Sequence, residues 1–222
     1  MVQMIPERRT MNFQFKECRV SKTDMIWRMA EPYLDTRSND VHTRISVRLV
    51  NELLRREGGD ESIVIPAMIL HDVGWKRVPE HLHLSAFGPK AKASEVNRIH
   101  EREGAKIAEE ILREIGYDEE KTREIVAIVE GHDSREIPIS FNDKLVKDAD
   151  KLFRYSREGF GIDIARFGET VEEGLERLRL SLERWFFTDS AKAIAGQELA
   201  ERVKEASSPA KRHTGSPLRS DR

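Results

Sequence analysis

Several histidines and aspartates lie on the apolar faces of predicted helices, where polar side chains are seldom found. They are spaced at helical intervals from apolar neighbours, and one His-Asp pair ends the most apolar helix of the chain. These residues are His42, His71, Asp72, His100, His132 and Asp150. Burying one such group without a partner costs several kcal/mol, so the six must either satisfy one another or share a cation.

Imidazoles and carboxylates around a dry pocket form divalent-metal sites, and helical bundles build such sites from residues that face inward on neighbouring helices. A single buried histidine is more often a core residue with a hydrogen-bond partner than a metal ligand. Six separate structural roles need six separate partners, whereas one metal centre would satisfy all of them. Periodicity alone leaves both interpretations open. It also does not separate Asp150 from Asp148, which shares an apolar face with Leu145 and Leu152.

Helical periodicity between Gly and Pro residues predicts an all-α fold, because no stretch alternates with period two over several strands. Asp40, Asp118 and Asn142 are the predicted N-caps of three helices. Residues 76–95 are predicted to form a long irregular loop. The predicted helices cover residues 22–35, 41–57, 62–73, 97–115, 119–132, 143–157, 170–187 and 190–206.

The chain has 222 residues, which is enough for one well-buried domain with terminal additions. We divide it into an N-terminal extension at 1–21, a helical domain at 22–206 and a tail at 207–222. The tail is polar and contains Pro, Gly and Ser, and this composition predicts disorder.

The chain has 38 basic and 40 acidic residues and a net charge of −2. This balance gives no reason to expect nucleic acid or an anionic membrane as a partner. Trp185, Phe186 and Phe187 lack the interleaved basic residues typical of nucleic-acid stacking, and we expect them in the core or in a homodimer contact. The single cysteine, Cys18, excludes an intramolecular disulfide. Because no apolar run suits a signal peptide or a membrane span, we expect a cytoplasmic protein.

The order of these residues resembles the signature of the HD-domain superfamily of metal-dependent phosphohydrolases. The matching segments are VHTRIS, AMILHDVGW and LVKDADKLFRY, and the resemblance covers about residues 25–160. It implies an all-α HD-domain helical bundle, here with extra C-terminal helices. The metal ligands that it implies are His42, His71, Asp72 and Asp150. Asp148 would then lie beside the metal or contact the substrate.

Two further segments, IHEREGAKIAEEIL and IVAIVEGHD, resemble those that supply additional histidine ligands in two-metal members of the superfamily. The resemblance implies that His100 and His132 bind a second metal with Asp72 bridging, or else that they line a mononuclear site. The chain lacks the Gly-Tyr-Pro segment of the HD-GYP phosphodiesterases and has one His where they have two, so we do not expect that activity. The implied cofactor is one or two divalent ions of Mn, Fe, Co, Ni, Mg or Zn.

The implied reaction is hydrolysis of a phosphate mono- or diester, for example of a nucleotide, by metal-activated water. The substrate would be small and phosphorylated. The expected catalytic residues are Asp72, Lys76 and Asp148, and a cation at Lys76 would neutralise phosphate oxygens. Glu101 and Glu103 are further candidates for proton transfer. The alternatives are a di-iron HD-type oxygenase and a non-catalytic ligand-binding protein. A non-catalytic protein would be expected to lack one of the metal ligands, and this sequence has all of them.

Overall fold

The computed structural model describes residues 20–83 and 94–207, and within these ranges the fold is all-α, as predicted. Two short 3₁₀ segments, Val73–Arg77 and Glu80–Leu82, follow the third helix. The α-helices are α1 (Lys22–Leu34), α2 (Asn39–Glu57), α3 (Glu61–Leu70), α4 (Ser94–Glu114), α5 (Glu119–Val129), α6 (Phe141–Phe153), α7 (Arg157–Phe167), α8 (Val171–Trp185) and α9 (Asp189–Ser207).

Helix α3 lies at the centre of the core. Its sequence, ESIVIPAMIL, is apolar on every side after the first turn, and most of its residues are buried. Because such a helix must be covered all round, it packs against α1, α2, α5 and α6. It ends at Leu70 and is followed directly by His71, so this buried helix brings His71 and Asp72 into the interior.

The segment Val73–Arg77 packs closely against α4. A Cβ atom added to Gly74 would lie 1.9 Å from the backbone oxygen of His100 and 2.5 Å from the backbone nitrogen of Gly104. Only glycine permits this approach, because any side chain would overlap the backbone of α4. The close packing at Gly74 therefore brings Asp72, which precedes this segment, near to His100 on α4.

Two of the three predicted N-caps are wrong. Asp118 does cap α5. Helix α2, however, begins after Ser38, and Asp40 lies within its first turn. Helix α6 is capped by Ser140, whereas the side chain of Asn142 accepts a hydrogen bond from another part of the chain. Sequence patterns locate helix ends less exactly than helices themselves.

Helix α7 was not predicted. The predicted helices leave residues 158–169 unassigned, and the glycines in this stretch weaken the helical pattern. Ser156 caps the helix, and Gly168 ends it with a φ of 65°. Gly159 is needed at its start, because a Cβ there would lie 1.9 Å from the backbone oxygen of Phe153.

The predicted N-terminal extension and tail fall almost entirely outside the described residues, as does most of the second half of the predicted 76–95 loop. Among the C-terminal aromatic residues, Phe186 is buried in the core, Trp185 is partly buried and Phe187 is 42% exposed. A homodimer contact at this cluster stays a prediction. None of the described helices is both long and apolar enough to span a bilayer.

Candidate metal centre

Four predicted ligands converge in what we call the first ligand group. The Nε2 atom of His42 lies 2.9 Å from Nε2 of His71, 3.1 Å from Oδ1 of Asp150 and 3.5 Å from Oδ2 of Asp72. The Nε2 atom of His71 lies 3.6 Å from Oδ2 of Asp72 and 3.7 Å from Oδ1 of Asp150. These atoms come from α2, α6 and the C-terminal end of α3.

A second ligand group lies on the other side of Asp72. The Nε2 atoms of His100 and His132 are 3.3 Å apart, and they lie 3.9 and 3.5 Å from Oδ1 of Asp72. Oδ2 of Asp133 is 3.6 Å from His100 and 3.8 Å from His132. Asp72 thus directs one carboxylate oxygen to each group, which is the arrangement of a bridging ligand.

The donor atoms suit divalent cations. Ligand atoms about 2.1 Å from a metal are separated by roughly 3.0 Å along an octahedral edge and 3.4 Å along a tetrahedral edge. The separations within the two groups, from 2.9 to 3.9 Å, bracket these values. Imidazole with carboxylate ligation suits Zn, Mn, Fe, Co and Ni. The ligand roles of the individual residues stay predictions, and the geometry is compatible with all six.

Two histidines are oriented by the carbonyl of the residue three positions earlier. Nδ1 of His71 lies 2.8 Å from the oxygen of Met68, and Nδ1 of His132 lies 2.9 Å from the oxygen of Val129. Because a carbonyl only accepts hydrogen bonds, each Nδ1 is the protonated nitrogen. Nε2 is therefore left as the metal-facing atom of both rings.

The histidines keep the carboxylates of the first group ionised. Burial raises the pKa of Asp72, but His71 and the other surrounding histidines outweigh burial and hold this pKa well below its usual range. Burial likewise raises the pKa of Asp150, and hydrogen bonds with His42 and His71 hold it well below its usual range. Two negative charges are thus available to a cation at any pH near neutrality.

The two histidines of the second group respond to burial differently. Burial, together with His132, lowers the pKa of His100 to about 4, so this ring is neutral at pH 7. For His132, burial lowers the pKa, but Asp72 and Asp133 outweigh burial and raise it to about 10. Binding of a cation to His132 would therefore release a proton.

Asp133 is the ligand candidate that the sequence analysis missed. It follows His132 in the same way that Asp72 follows His71, and this second His-Asp pair was the available signal. The buried carboxylate of Glu101 accepts hydrogen bonds from the backbone nitrogens of Asp133 and Ser134, at 3.0 and 2.8 Å. Glu101 thus holds the turn that presents Asp133. Its other oxygen, Oε2, accepts hydrogen bonds from Arg98 and from Oγ of Ser134, so both oxygens have structural partners.

Lys147 holds the same turn from the opposite side. Its side chain is 3% exposed, and its Nζ donates to the backbone oxygens of Gly131 and His132 at 2.5 and 2.7 Å. A buried ammonium group requires such acceptors. This role of Lys147 was not predicted from the sequence. Glu103, the other candidate for proton transfer, pairs with Lys106 at 2.6 Å on the outer side of α4.

Three arginines line the cleft next to the ligand groups. The cleft has a volume of about 150 Å³, and its wall includes Arg37, Arg154 and Arg166 beside the ligand residues. Arg154 donates to Asp163 at 2.7 Å, and Arg166 donates to the backbone oxygen of Arg37 at 2.7 Å. Burial lowers the pKa of Arg37 to about 10, so its guanidinium stays charged at neutral pH.

Arg37 is held in place by stacking and by an unusual backbone. Arg37 and Ser38 both adopt left-handed conformations, with φ values of 55° and 60°. The guanidinium of Arg37 lies 3.6 Å from the ring centre of Trp75, and Trp75 stacks on His100 at 4.1 Å. Trp75 also donates from Nε1 to Oδ1 of Asp72 at 3.0 Å. This tryptophan therefore links the arginine to the second ligand group.

Two predicted catalytic residues, Asp148 and Lys76, make their hydrogen bonds outside the ligand groups. The carboxylate of Asp148 accepts hydrogen bonds from the backbone nitrogens of Phe187 and Thr188, at 2.8 and 2.9 Å. It is directed towards the start of α9, because consecutive helical positions point in different directions and Asp150 takes the inward one. Lys76 donates to the backbone oxygen of Asp35 at 2.9 Å and is 42% exposed.

We expect Asp148→Asn to lower the free energy of unfolding by about 1–3 kcal/mol, because the asparagine NH₂ would face a backbone N–H donor in a buried place. Urea unfolding measures this change, and metal analysis of the folded variant should give the wild-type content. Asp35→Asn is the matched control, since the Asp35 side chain is 94% exposed. An unchanged unfolding free energy, or a loss of metal, would contradict the placement of Asp148.

Comparison with known proteins agrees with this geometry. The family model of the HD domain matches residues 40–155, which is more than half of the chain, and the chain therefore belongs to the HD domain family. The crystal structure of a predicted HD superfamily hydrolase from an uncultured Thermotogales bacterium is similar, with a TM-score of 0.58 and 20% identity. The alignment covers 85% of this chain and 91% of that one. At this identity the likeness shows a shared fold. No curated protein matches the chain.

The predicted family and the predicted HD-domain bundle are thus both confirmed. Family membership and the buried His/Asp groups together support a metal-dependent hydrolase of the HD type with a divalent cation as cofactor. The matched segment ends at residue 155, before α7. The residues that α7 adds to the cleft, Asp163 and Arg166, therefore lie outside the matched segment.

Proposed function

We propose that the protein is a two-metal phosphohydrolase that cleaves a phosphate ester of a small molecule. The observation that supports this best is the cleft shared by three arginines and the ligand residues. Guanidinium groups bind phosphoryl oxygens through paired, charge-assisted hydrogen bonds. A site that only binds metal ions does not require guanidinium groups.

In the proposed enzyme each ligand group would hold one divalent ion. His42, His71 and Asp150 would hold the first ion, His100, His132 and Asp133 would hold the second, and Asp72 offers one carboxylate oxygen to each group. Such ions would supply a water of lowered pKa and would polarise the phosphoryl group.

The remaining roles belong to residues around the ligands. Arg37, Arg154 and Arg166 bind the phosphoryl oxygens and stabilise the charge that develops on them during the reaction. Trp75 keeps Arg37 in position by stacking. Asn39 donates to the backbone oxygen of Asp72 at 3.3 Å and so fixes the bridging residue.

The proposal is tested with metal-free protein reconstituted with Mn, Co, Ni or Mg. We expect metal-dependent release of p-nitrophenol from p-nitrophenyl phosphate or its bis-ester. Arg37→Ala should lower kcat/KM about a hundredfold, as expected for loss of a group that stabilises transition-state charge. Lys76→Ala is the matched control and should change kcat/KM less than about twofold. Inactivity with every metal and a broad nucleotide panel would overturn the proposal.

A di-iron oxygenase is the second candidate, because two ligand groups that share one carboxylate also suit a pair of iron ions. Metal analysis and oxygen consumption discriminate between the two functions. Two iron ions per chain with oxygen uptake would favour the oxygenase. One non-iron metal per chain would exclude it.

A further inference from the structure

A second cavity opens beside the ligand groups. It has a volume of about 280 Å³ and shares Asp133, Asp150 and Arg154 with the arginine-lined cleft. We call it the aromatic lobe, and its remaining lining residues are Lys151, Phe167, Arg177 and Trp185. Because two ligand carboxylates line both cavities, each cavity lies next to the metal centre.

The cationic groups of the two cavities differ in kind. The arginine-lined cleft has three guanidinium groups, two of which pair with Asp163. The aromatic lobe has two guanidinium groups and the ammonium group of Lys151, and its Arg177 is engaged by Glu169, with the Nε and Nη2 atoms 3.1 and 2.8 Å from the same carboxylate oxygen. Guanidinium groups, which bind phosphoryl oxygens in pairs, are therefore more numerous in the cleft.

The apolar surfaces of the two cavities differ as well. Phe167 and Trp185 are both partly exposed, and both line the lobe. In the cleft, by contrast, Trp75 is 2% exposed and lies under Arg37, while Phe153 is 3% exposed. An organic group thus finds accessible aromatic surface only in the lobe, as far as the described residues line these cavities.

We propose that the aromatic lobe binds the leaving group of a phosphate monoester and that this leaving group is a flat aromatic or heterocyclic ring. The proposal rests on the phosphohydrolase function proposed above. The phosphoryl group occupies the arginine-lined cleft, and the ring packs between Phe167 and Trp185. The lobe has room for it, since a cavity of about 150 Å³ already holds benzene. A diester would have to place its second substituent among the three arginines.

Binding of non-hydrolysable phosphonates to the metal-loaded protein tests this proposal by calorimetry. We expect phenylphosphonate to bind at least about tenfold more tightly than methylphosphonate, because stacking on aromatic side chains stabilises a bound ring. Phenylphosphonate monomethyl ester, which mimics a diester, should bind at least about tenfold more weakly than phenylphosphonate. Trp185→Leu should reduce the phenyl preference to less than about threefold and leave the affinity for methylphosphonate unchanged.

Phe187→Leu is the matched control, because Phe187 is a neighbouring exposed aromatic residue that does not line the lobe, and it should keep the full phenyl preference. Phe167→Leu serves as a second lobe variant if Trp185→Leu fails to fold. The proposal is overturned if the wild type binds both phosphonates equally, if the lobe variants weaken both equally, or if the methyl ester binds as well as phenylphosphonate. Failure of the protein to bind either phosphonate would instead contradict the phosphohydrolase function and, with it, the lobe.

Discussion

Asp72→Asn is expected to lower kcat on the order of a thousandfold, because the substitution removes a charge from both proposed metal ions at once. Asparagine has nearly the same shape and keeps an acceptor oxygen for the Nε1 of Trp75, so folding should be little affected. The asparagine side chain has only one oxygen, however, and cannot offer an oxygen to each of the two ligand groups. We expect the metal content to fall from two ions per chain to less than one, measured by elemental analysis after gel filtration.

Asp133→Asn is the matched comparison for this experiment. Asp133 contributes to the second ligand group alone. Its substitution should therefore reduce the metal content by one ion per chain and leave a metal ion bound at the first ligand group. If Asp72→Asn lost no more metal than Asp133→Asn, the bridging role of Asp72 would be wrong.

Gly74→Ala is expected to lower the free energy of unfolding by about 3 kcal/mol or more, at the upper end of what overpacking costs. The added Cβ would meet the backbone of α4 on both sides, at His100 and Gly104. Backbone cannot rotate away as the end of a side chain can. Separating the two segments also moves Asp72 from His100, so metal affinity should fall together with stability. Thermal or urea unfolding, with and without metal, measures both effects.

Gly196→Ala is the control for this substitution. A Cβ at Gly196, inside α9, would have no atom within 4 Å. Alanine is favoured over glycine within helices, so this variant should gain about 0.5–1 kcal/mol. Equal stability changes in the two variants would show that the close approach at Gly74 has no special role.

The part of the site that could be predicted from the sequence is the part that lies on regular helices. His42 and His100 were recognisable because a polar residue interrupts an apolar face at helical spacing, whereas Asp150 was chosen over a neighbouring aspartate through the family resemblance alone. His71 and Asp72 follow the most apolar helix, and the resemblance to the HD superfamily added the order of the ligands. The structure brings all of these residues together.

The missed residues lie where periodicity gives no information. Asp133 follows the end of α5 in a turn, and its direction depends on hydrogen bonds to Glu101, which is distant in sequence. Arg37 lies between two helices, and its left-handed backbone sets its direction. Asp148 was misplaced because α6 is buried on several sides, so that an apolar face did not identify the side that faces the ligands.

The backbone at Arg37 and Ser38, beside the arginine-lined cleft, does not have the conformation of greatest stability. Left-handed conformations at residues other than glycine cost of the order of 1 kcal/mol or more each, and two occur in succession here. The donor from Arg166 and the stack on Trp75 maintain them. In the proposed phosphohydrolase the guanidinium would therefore be in place before a substrate arrives, and little ordering entropy would be lost when the substrate binds. Selection for thermal stability alone would be expected to replace Ser38 by glycine, and the same change would loosen Arg37 and slow the proposed reaction.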